Sequence, residues 1–221
     1  MNTFFYVIYP YVCLSIMACG LPLRYLYAPG QWNARSSQFF ERRLLLWGST
    51  MFHVGILLSL GGHVVGLLIP SSLFAKMGIS HELHVRVAFV AGQAVAPLVL
   101  TGLGLLIYRR LCLPTLRCTT SAGDWLVLAL VCVAALTGGY QVFVAHVSAF
   151  DTVAPWVQSV LALSPQPELM REVPLFLQIH VINGFTLAAV LPFTRLVHIF
   201  SAPVTYPVAA PVLYRQRYEH L

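Results

Sequence analysis

Five apolar stretches, each long enough to cross a lipid bilayer as a helix, constrain the fold of this 221-residue chain. A hydrocarbon core of about 30 Å requires roughly 20 apolar residues in helical conformation. The stretches that meet this length are Phe4 to Leu23, Leu44 to Ile69, Leu83 to Ile107, Trp125 to Ala145 and Leu175 to Ala202. Apolar residues make up 58% of the chain and charged residues only 9%, which excludes an ordinary soluble domain. The sequence therefore predicts an all-α membrane bundle of five transmembrane helices.

Basic residues indicate how these helices are oriented, because Lys and Arg in short loops are retained on the cytoplasmic side. Ten of the thirteen Lys and Arg residues fall in the first loop, the third loop and the C-terminal end, namely Arg24, Arg35, Arg42, Arg43, Arg109, Arg110, Arg117, Arg195, Arg215 and Arg217. This distribution predicts an N-terminus outside and a cytoplasmic C-terminus. With no internal repeat and no long linker, residues 1–221 are predicted to form a single membrane-embedded domain. The charge pattern is not typical of a nucleic-acid groove.

Four histidines lie within the predicted spans, where an ionisable side chain is costly and by default marks a function. The second span contains His53 and His63 in the stretch FHVGILLSLGGHVVG, and the fifth contains His180 and His198. Neutral imidazole is a common metal ligand, so four imidazoles on two helices can form two bis-histidine sites. The alternative is that each histidine only hydrogen-bonds a neighbouring polar group. That alternative suits a single histidine better than two matched pairs.

The predicted topology pairs these histidines. The second and fifth spans run in opposite directions, which places His53 level with His198 and His63 level with His180. The separations along the two helices correspond to about 15 and 27 Å, so two bound metals would lie roughly 21 Å apart. This distance suits two stacked macrocycles, whereas a dinuclear metal centre needs about 4 Å.

Helix geometry around the histidines adds further expectations. His180 and His198 are five full helical turns apart and project from one face, whereas His53 and His63 differ by about 80°. Pro192 lies between the two histidines of the fifth span and is expected to bend it. The second span also carries glycines, which either leave room for a flat macrocycle or favour close helix packing, at positions 55, 61, 62 and 66.

These motifs resemble a known family, the gamma subunit of respiratory nitrate reductase, which is a membrane di-haem cytochrome b. The resemblance covers nearly the whole chain and rests on IYPYV near the N-terminus, SSQ at 36–38, FHVGILLSLGGHVVG, VAFVAG at 87–92 and QIHVINGFTLAAVLPFTRLVHIFSAPV at 178–204. It implies two haem b groups. By this resemblance His53 and His198 hold the inner haem, and His63 and His180 hold the outer haem.

The resemblance also implies an electron-transfer function in the bacterial cytoplasmic (inner) membrane. Quinol is expected to be oxidised near the outer face with proton release outside, and the electrons to pass inward through the haems. The expected partners are an iron–sulfur subunit and a molybdenum catalytic subunit on the cytoplasmic side, which reduces nitrate. Because haem carries the redox chemistry, this chain needs no catalytic nucleophile. The alternatives are a related di-haem subunit that feeds a sulfite- or heterodisulfide-reducing complex, and a haem-free transporter whose histidines form a proton path.

The quinol site is where this sequence departs from the family. The family has a lysine at the outer start of the third span, and the register fixed by VAFVAG places His84 there instead. Histidine can accept a proton near neutral pH, as lysine usually cannot. His81 could serve equally, and for both residues the alternative is an interfacial position in contact with water. By resemblance, Gly62 and His63 line the same outer pocket.

Two arginines near the predicted haems are candidates for binding haem propionates. Arg195 precedes His198 by three positions on the same helix face, and guanidinium suits a bidentate contact with a carboxylate. Its alternative role is a cytoplasmic anchor. Arg86 lies on the outer side against the charge rule, so we expect a partner, either an outer-haem propionate or Glu82 four positions earlier.

The loop before the fifth span, residues 146–174, contains the apolar stretch VAPWVQSVLAL followed by SPQPE. This pattern predicts a short surface helix that ends at Ser164 and Pro165. Its predicted role is a lid over the outer haem or a seal for the bundle.

Overall fold

The computed structural model describes residues 3–28, 32 and 40–201, and throughout these ranges the regular structure is helical. The α-helices are α1 (Tyr9–Tyr27), α2 (Arg43–His63), α3 (Ser71–Lys76), α4 (His81–Cys112), α5 (Pro114–Cys118), α6 (Ala122–Tyr140), α7 (Val153–Leu161) and α8 (Leu175–Val190). The SSQ motif at 36–38 and residues 202–204 of the last motif lie outside the described residues, as do Arg35, Arg215 and Arg217.

Within the described residues, five helical segments are long and apolar enough to cross a membrane, as predicted, although the fifth is shorter than expected. Short π-helical turns extend α1 at its start and α2 and α6 at their ends. The spans are Phe4–Tyr27, Arg43–Leu68, His81–Cys112, Ala122–Ala145 and Leu175–Phe193. We call the end of the bundle where α4 ends and α6 begins the basic end, and the opposite end, which carries α3 and α7, the loop end.

Helices α2 and α8 pack against different neighbours and not against each other, within the described residues. Among the described residues, α2 packs mainly against α4, while α8 packs against α6 and α1. Glycine permits the close approach of α2 and α4, because a Cβ on Gly55 of α2 would lie 2.8 Å from the Val99 side chain of α4. Helices α2 and α8 therefore do not form a packed pair within these ranges.

The predicted loop helix exists, but its predicted position on the surface is wrong. Helix α7 ends at Leu161, and its side chains Trp156 and Val160 are almost fully buried. They form a buried apolar cluster together with Tyr6 from the first span and Leu177 from α8. The apolar spacing in VAPWVQSVL turns one face of this helix inward, so α7 fastens the loop end of the bundle together.

The fifth span is not the continuous helix to Ala202 that hydropathy predicted. Helix α8 ends at Val190, a 3₁₀ turn follows at Leu191–Phe193, and a second 3₁₀ segment begins at Arg195. Thr194 between them is fully extended. Pro192 explains the interruption, because proline lacks the backbone N–H that an α-helix needs and its ring clashes with the preceding turn.

An ion pair ties the start of α2 to the end of α4 at the basic end. The Arg109 side chain is almost fully buried, and its Nε donates to the Glu41 carboxylate at 2.9 Å. The same carboxylate accepts hydrogen bonds from the Leu44 and Leu45 amides at the start of α2. Burial alone raises the pKa of Glu41, but the hydrogen bonds from Leu44, Arg109 and Leu45 outweigh it and hold the pKa below its usual range.

We expect Glu41→Gln to lower the thermal stability of the protein at neutral pH, because it leaves the buried Arg109 charge without its counterion. A carboxyl whose pKa is lowered by folding stabilises the native state above its unfolded-state pKa, and this contribution disappears as pH falls through the folded pKa. The stability gap between wild type and variant should therefore close on acidification. Thermal unfolding in detergent, followed by circular dichroism from neutral to acidic pH, measures it, with the exposed Glu168→Gln as control. A gap that does not change with pH would contradict this account.

Candidate cofactor site between the second and fifth spans

The structure brings the four histidines singled out in the sequence together as two pairs, although His198 lies past the end of the fifth span at Phe193 rather than within it. The ring centroids of His53 and His198 lie 6.0 Å apart at the basic end, and those of His63 and His180 lie 5.9 Å apart at the loop end. Two imidazole nitrogens bound on opposite sides of one metal ion lie about 4 Å apart, which places the ring centroids about 6 Å apart. Each pair is therefore spaced to hold one metal ion between its rings.

Hydrogen bonds fix the tautomer of these imidazoles. Nδ1 of three histidines lies within 2.7 Å of a backbone carbonyl of its own segment, in the pairs His53 with Ser49, His63 with Ser59 and His198 with Arg195. A carbonyl oxygen only accepts, so Nδ1 carries the proton and Nε2 is the basic nitrogen. Histidines that bind metals are held in this way, with the second ring nitrogen donating to a carbonyl.

The fourth histidine, His180, is held from a different helix. Its Nδ1 lies 2.8 Å from the hydroxyl of Thr137 on α6, and that hydroxyl donates to the Val133 carbonyl at 2.6 Å. The Thr137 oxygen therefore accepts the His180 proton. Gly138 allows this approach, since a Cβ there would lie 3.3 Å from Cε1 of His180. Sequence reasoning missed both residues, and the available signal was a lone hydroxyl followed by two glycines in an otherwise apolar helix.

The donor set tests which kind of cofactor fits. Within the described ranges, no group of three or more His, Cys, Asp or Glu side chains could hold a metal ion. A metal that receives only two opposed imidazoles needs its remaining ligands from a planar macrocycle, which is how haem iron is held. Open space lies beside the His63–His180 pair, because a Cβ on Gly62 or Gly184 would meet no described atom within 4 Å. By their donor sets and ring spacings, both pairs fit a haem.

A separate cavity of about 380 Å³ opens at the loop end, between α2, α3, α4 and α7. The His84 ring lies in it between two aromatic rings, with centroid separations of 4.0 Å to Phe74 and 4.3 Å to Phe150. His81 also lines the cavity, but its ring is mostly exposed and lies 3.5 Å from the Asp151 carboxylate. Gly66, one turn beyond the predicted Gly62, lines the described wall of this cavity, and Gly62 does not.

The two candidate propionate-binding arginines both contact carboxylates of this chain. Arg86 donates to Glu82 at 3.0 Å on an exposed surface, which is the alternative partner that helical spacing predicted. Arg195 donates through Nε to Asp124 at the start of α6, at 2.8 Å. Asp124 was not predicted from sequence, because nothing in a single chain links it to a position 71 residues later.

The fold and the site together define a class, a multi-pass helical membrane protein with two opposed imidazole pairs at different depths. Comparison with known proteins agrees, since the model of the family described as nitrate reductase gamma subunit matches residues 2–217. The chain belongs to this family, whose members are subunits of an oxidoreductase complex.

Relatives from several organisms show the same similarity along the chain. The nitrate reductase gamma chain of Bacillus subtilis is 39% identical over 95% of this chain and 96% of its own length. The respiratory nitrate reductase 1 gamma chain of Escherichia coli is 34% identical over 99% of both chains. The nitrate reductase-like protein NarX of Mycobacterium tuberculosis is 40% identical over 99% of this chain but only 34% of its own length.

Proposed function

We propose that this chain is the di-haem cytochrome b subunit of a respiratory nitrate reductase, formed as one domain over residues 1–221. The observation that carries the proposal is the presence of two imidazole pairs, with ring centroids 6.0 and 5.9 Å apart, in a member of the nitrate reductase gamma subunit family. His53 and His198 are proposed to hold one haem, and His63 and His180 the other. When bound, haem supplies one-electron redox chemistry.

The side chains around the proposed haems perform positioning rather than chemistry. Carbonyls of Ser49, Ser59 and Arg195 and the hydroxyl of Thr137 orient the imidazoles and raise their basicity. Nε of Arg195 donates to Asp124, and we propose that the terminal nitrogens of Arg195 donate to a propionate of the haem at the basic end. Arg86 already pairs with Glu82, so a contact between Arg86 and a propionate of the other haem is the less favoured of the two proposals.

The proposed orientation of the chain in the membrane, and with it the direction of electron transfer, follows from the distribution of Arg residues. We propose that the basic end faces the cytoplasm, because Arg residues cluster there, and that the N-terminus lies outside. The iron–sulfur subunit and the molybdenum subunit would then dock at the basic end. Quinol oxidised at the loop end would release its protons outside, while electrons cross the bacterial inner membrane inward. This separation makes nitrate reduction electrogenic.

We expect His84→Ala to impair quinol oxidation while both haems are retained. The His84 ring lies inside the cavity between two aromatic rings, where it can accept a quinol proton, and loss of such a base costs about 10²–10⁴-fold in rate. Quinol-dependent turnover of the purified complex measures the loss, with a visible spectrum to count haems. His81→Ala is the matched control and should have a smaller effect. Unchanged turnover in His84→Ala would remove His84 from the site.

A reduced-minus-oxidised spectrum of membranes that contain the complex tests the proposed function. We expect two b-type components that quinol reduces and nitrate reoxidises. Absence of a b-type signal would leave only the haem-free transporter. Two haems with an attached subunit that contains no molybdenum would instead indicate a different acceptor.

A further inference from the structure

The ligand His198 lies on an irregular segment, which raises the question of what holds it in place. It follows the break at Thr194 and belongs to the 3₁₀ segment Arg195–Ser201 rather than to α8. The other three histidines are on the continuous spans. A site is most precise when its ligands are on rigid elements. His198 therefore needs restraints from outside its own helix.

The first restraint comes from α1. Nη1 of Arg24 donates to the Pro192 carbonyl at 2.6 Å and to the Thr194 carbonyl at 2.8 Å. Carbonyls released at a helix break must find donors, and inside a membrane water does not supply them. α1 also approaches closely here, since a Cβ on Gly20, one turn before Arg24, would lie 2.8 Å from the Pro192 side chain. The break is thus fastened to α1 by a charged side chain.

The second restraint comes from α6. Asp124 forms a capping box with Ser121, in which Oδ2 of Asp124 accepts from the Ser121 amide at 3.0 Å and Oγ of Ser121 accepts from the Asp124 amide at 3.2 Å. The hydrogen bond from the Ser121 amide therefore restrains the orientation of the carboxylate. Its other oxygen, Oδ1, accepts from Nε of Arg195 at 2.8 Å, and the Asp124 side chain is only 8% exposed. Such a shielded ion pair is restrained more firmly than an exposed one.

Arg195 connects this ion pair to the imidazole. While its side chain is held by Asp124, its backbone carbonyl accepts from Nδ1 of His198 at 2.5 Å. Two contacts therefore join the fixed end of α6 to the His198 ring. A shift of Arg195 would weaken the hydrogen bond that orients the ring and raises its basicity.

We propose that Asp124 is a positioning residue for the haem at the basic end, acting through Arg195 on the orientation of His198. This inference rests on the proposed function, since it concerns a ligand of a proposed haem. Loss of the carboxylate would loosen the carbonyl bond to His198, lower the basicity of the ligand and remove a negative charge from the proposed haem site at the basic end. Each change disfavours the ferric form, so the midpoint potential of that haem rises.

The experiment compares wild type with Asp124→Asn and Ser121→Ala in the assembled membrane complex. Potentiometric titration gives the potential of each b component, and electron paramagnetic resonance of the oxidised protein reports ligand orientation. In Asp124→Asn we expect a higher potential and a shifted resonance for one haem only, the one that His53→Ala removes. Ser121→Ala removes only the Ser121 hydroxyl and keeps both the carboxylate and the backbone amide that binds its Oδ2, so it should leave both haems as in wild type.

The possible outcomes separate this inference from the proposed function. Two haems with wild-type potentials and resonances in Asp124→Asn overturn the positioning role alone, and so does an equal shift in Ser121→Ala. A wild-type complex without b-type haem overturns the proposed function instead. If Asp124→Asn does not assemble, Asp124→Glu decides, because it keeps the charge but moves the carboxylate by one methylene. The resonance of the same haem must then shift, and an unaltered signal overturns the proposal.

Discussion

Replacing His53 or His198 with alanine is expected to remove one and the same haem, and replacing His63 or His180 to remove the other. Each pair has its rings about 6 Å apart, so any single variant removes one of the two imidazoles that would hold the haem. The remaining haem keeps both ligands. Redox titration of the b-type absorbance in all four variants measures this, since each should retain one component of the two.

The four histidine variants serve as controls for one another. Variants in the same pair should be spectrally alike although their substitutions lie on different spans. Loss of the same component from His53→Ala and His63→Ala, which share α2, would contradict the pairing. A uniform loss of both haems from every variant would show that the bundle collapses without either group, and intact protein with both haems would exclude these histidines as ligands.

Gly184→Leu is expected to abolish binding of the haem held by His63 and His180. Gly184 lies one turn after His180 on the same face of α8, and a Cβ there meets no described atom within 4 Å. The bare protein thus has room for a larger side chain at this position. If a haem fills that room, leucine competes with it directly. Haem content and the redox titration measure the loss, which should spare the other haem.

Gly104→Leu is the matched control for this substitution. A Cβ on Gly104 also meets no described atom within 4 Å, and two residues along a helix place it on the side of α4 turned away from Gly102, which packs against α2. Both haems should be retained in Gly104→Leu. Normal haem content in Gly184→Leu would mean that the space beside His180 is not the haem site.

Hydropathy was sufficient to predict the five spans and the pairing of the histidines. Twenty apolar residues can only be buried in lipid as a helix, so the five spans follow from composition along the chain. Alternating direction then sets His53 opposite His198 and His63 opposite His180, and the structure brings together these same rings. The pairing of the histidines is thus preserved although the fifth span is interrupted before His198.

What could not be predicted is the set of contacts between helices distant in sequence. In the sequence, Arg24 looks like an ordinary loop charge and Thr137 like an ordinary span residue. In the structure, Arg24 donates to a carbonyl released at the break after Val190, and Thr137 lies beside His180. The break itself was predicted only as a bend, because proline gives the position of a distortion and not its size. Helix α7 was predicted to lie on the surface because its partners are distant in sequence: Trp156 and Val160 pack against Tyr6 and Leu177.

A high-resolution density map of the assembled protein tests the central claim most directly. We predict two flat densities in the space between α2 and the fifth span, one between His53 and His198 and one between His63 and His180. Each should have its metal centre in contact with Nε2 of both rings. Lipid or side chains filling that space, with the imidazoles turned away from one another, would contradict the account.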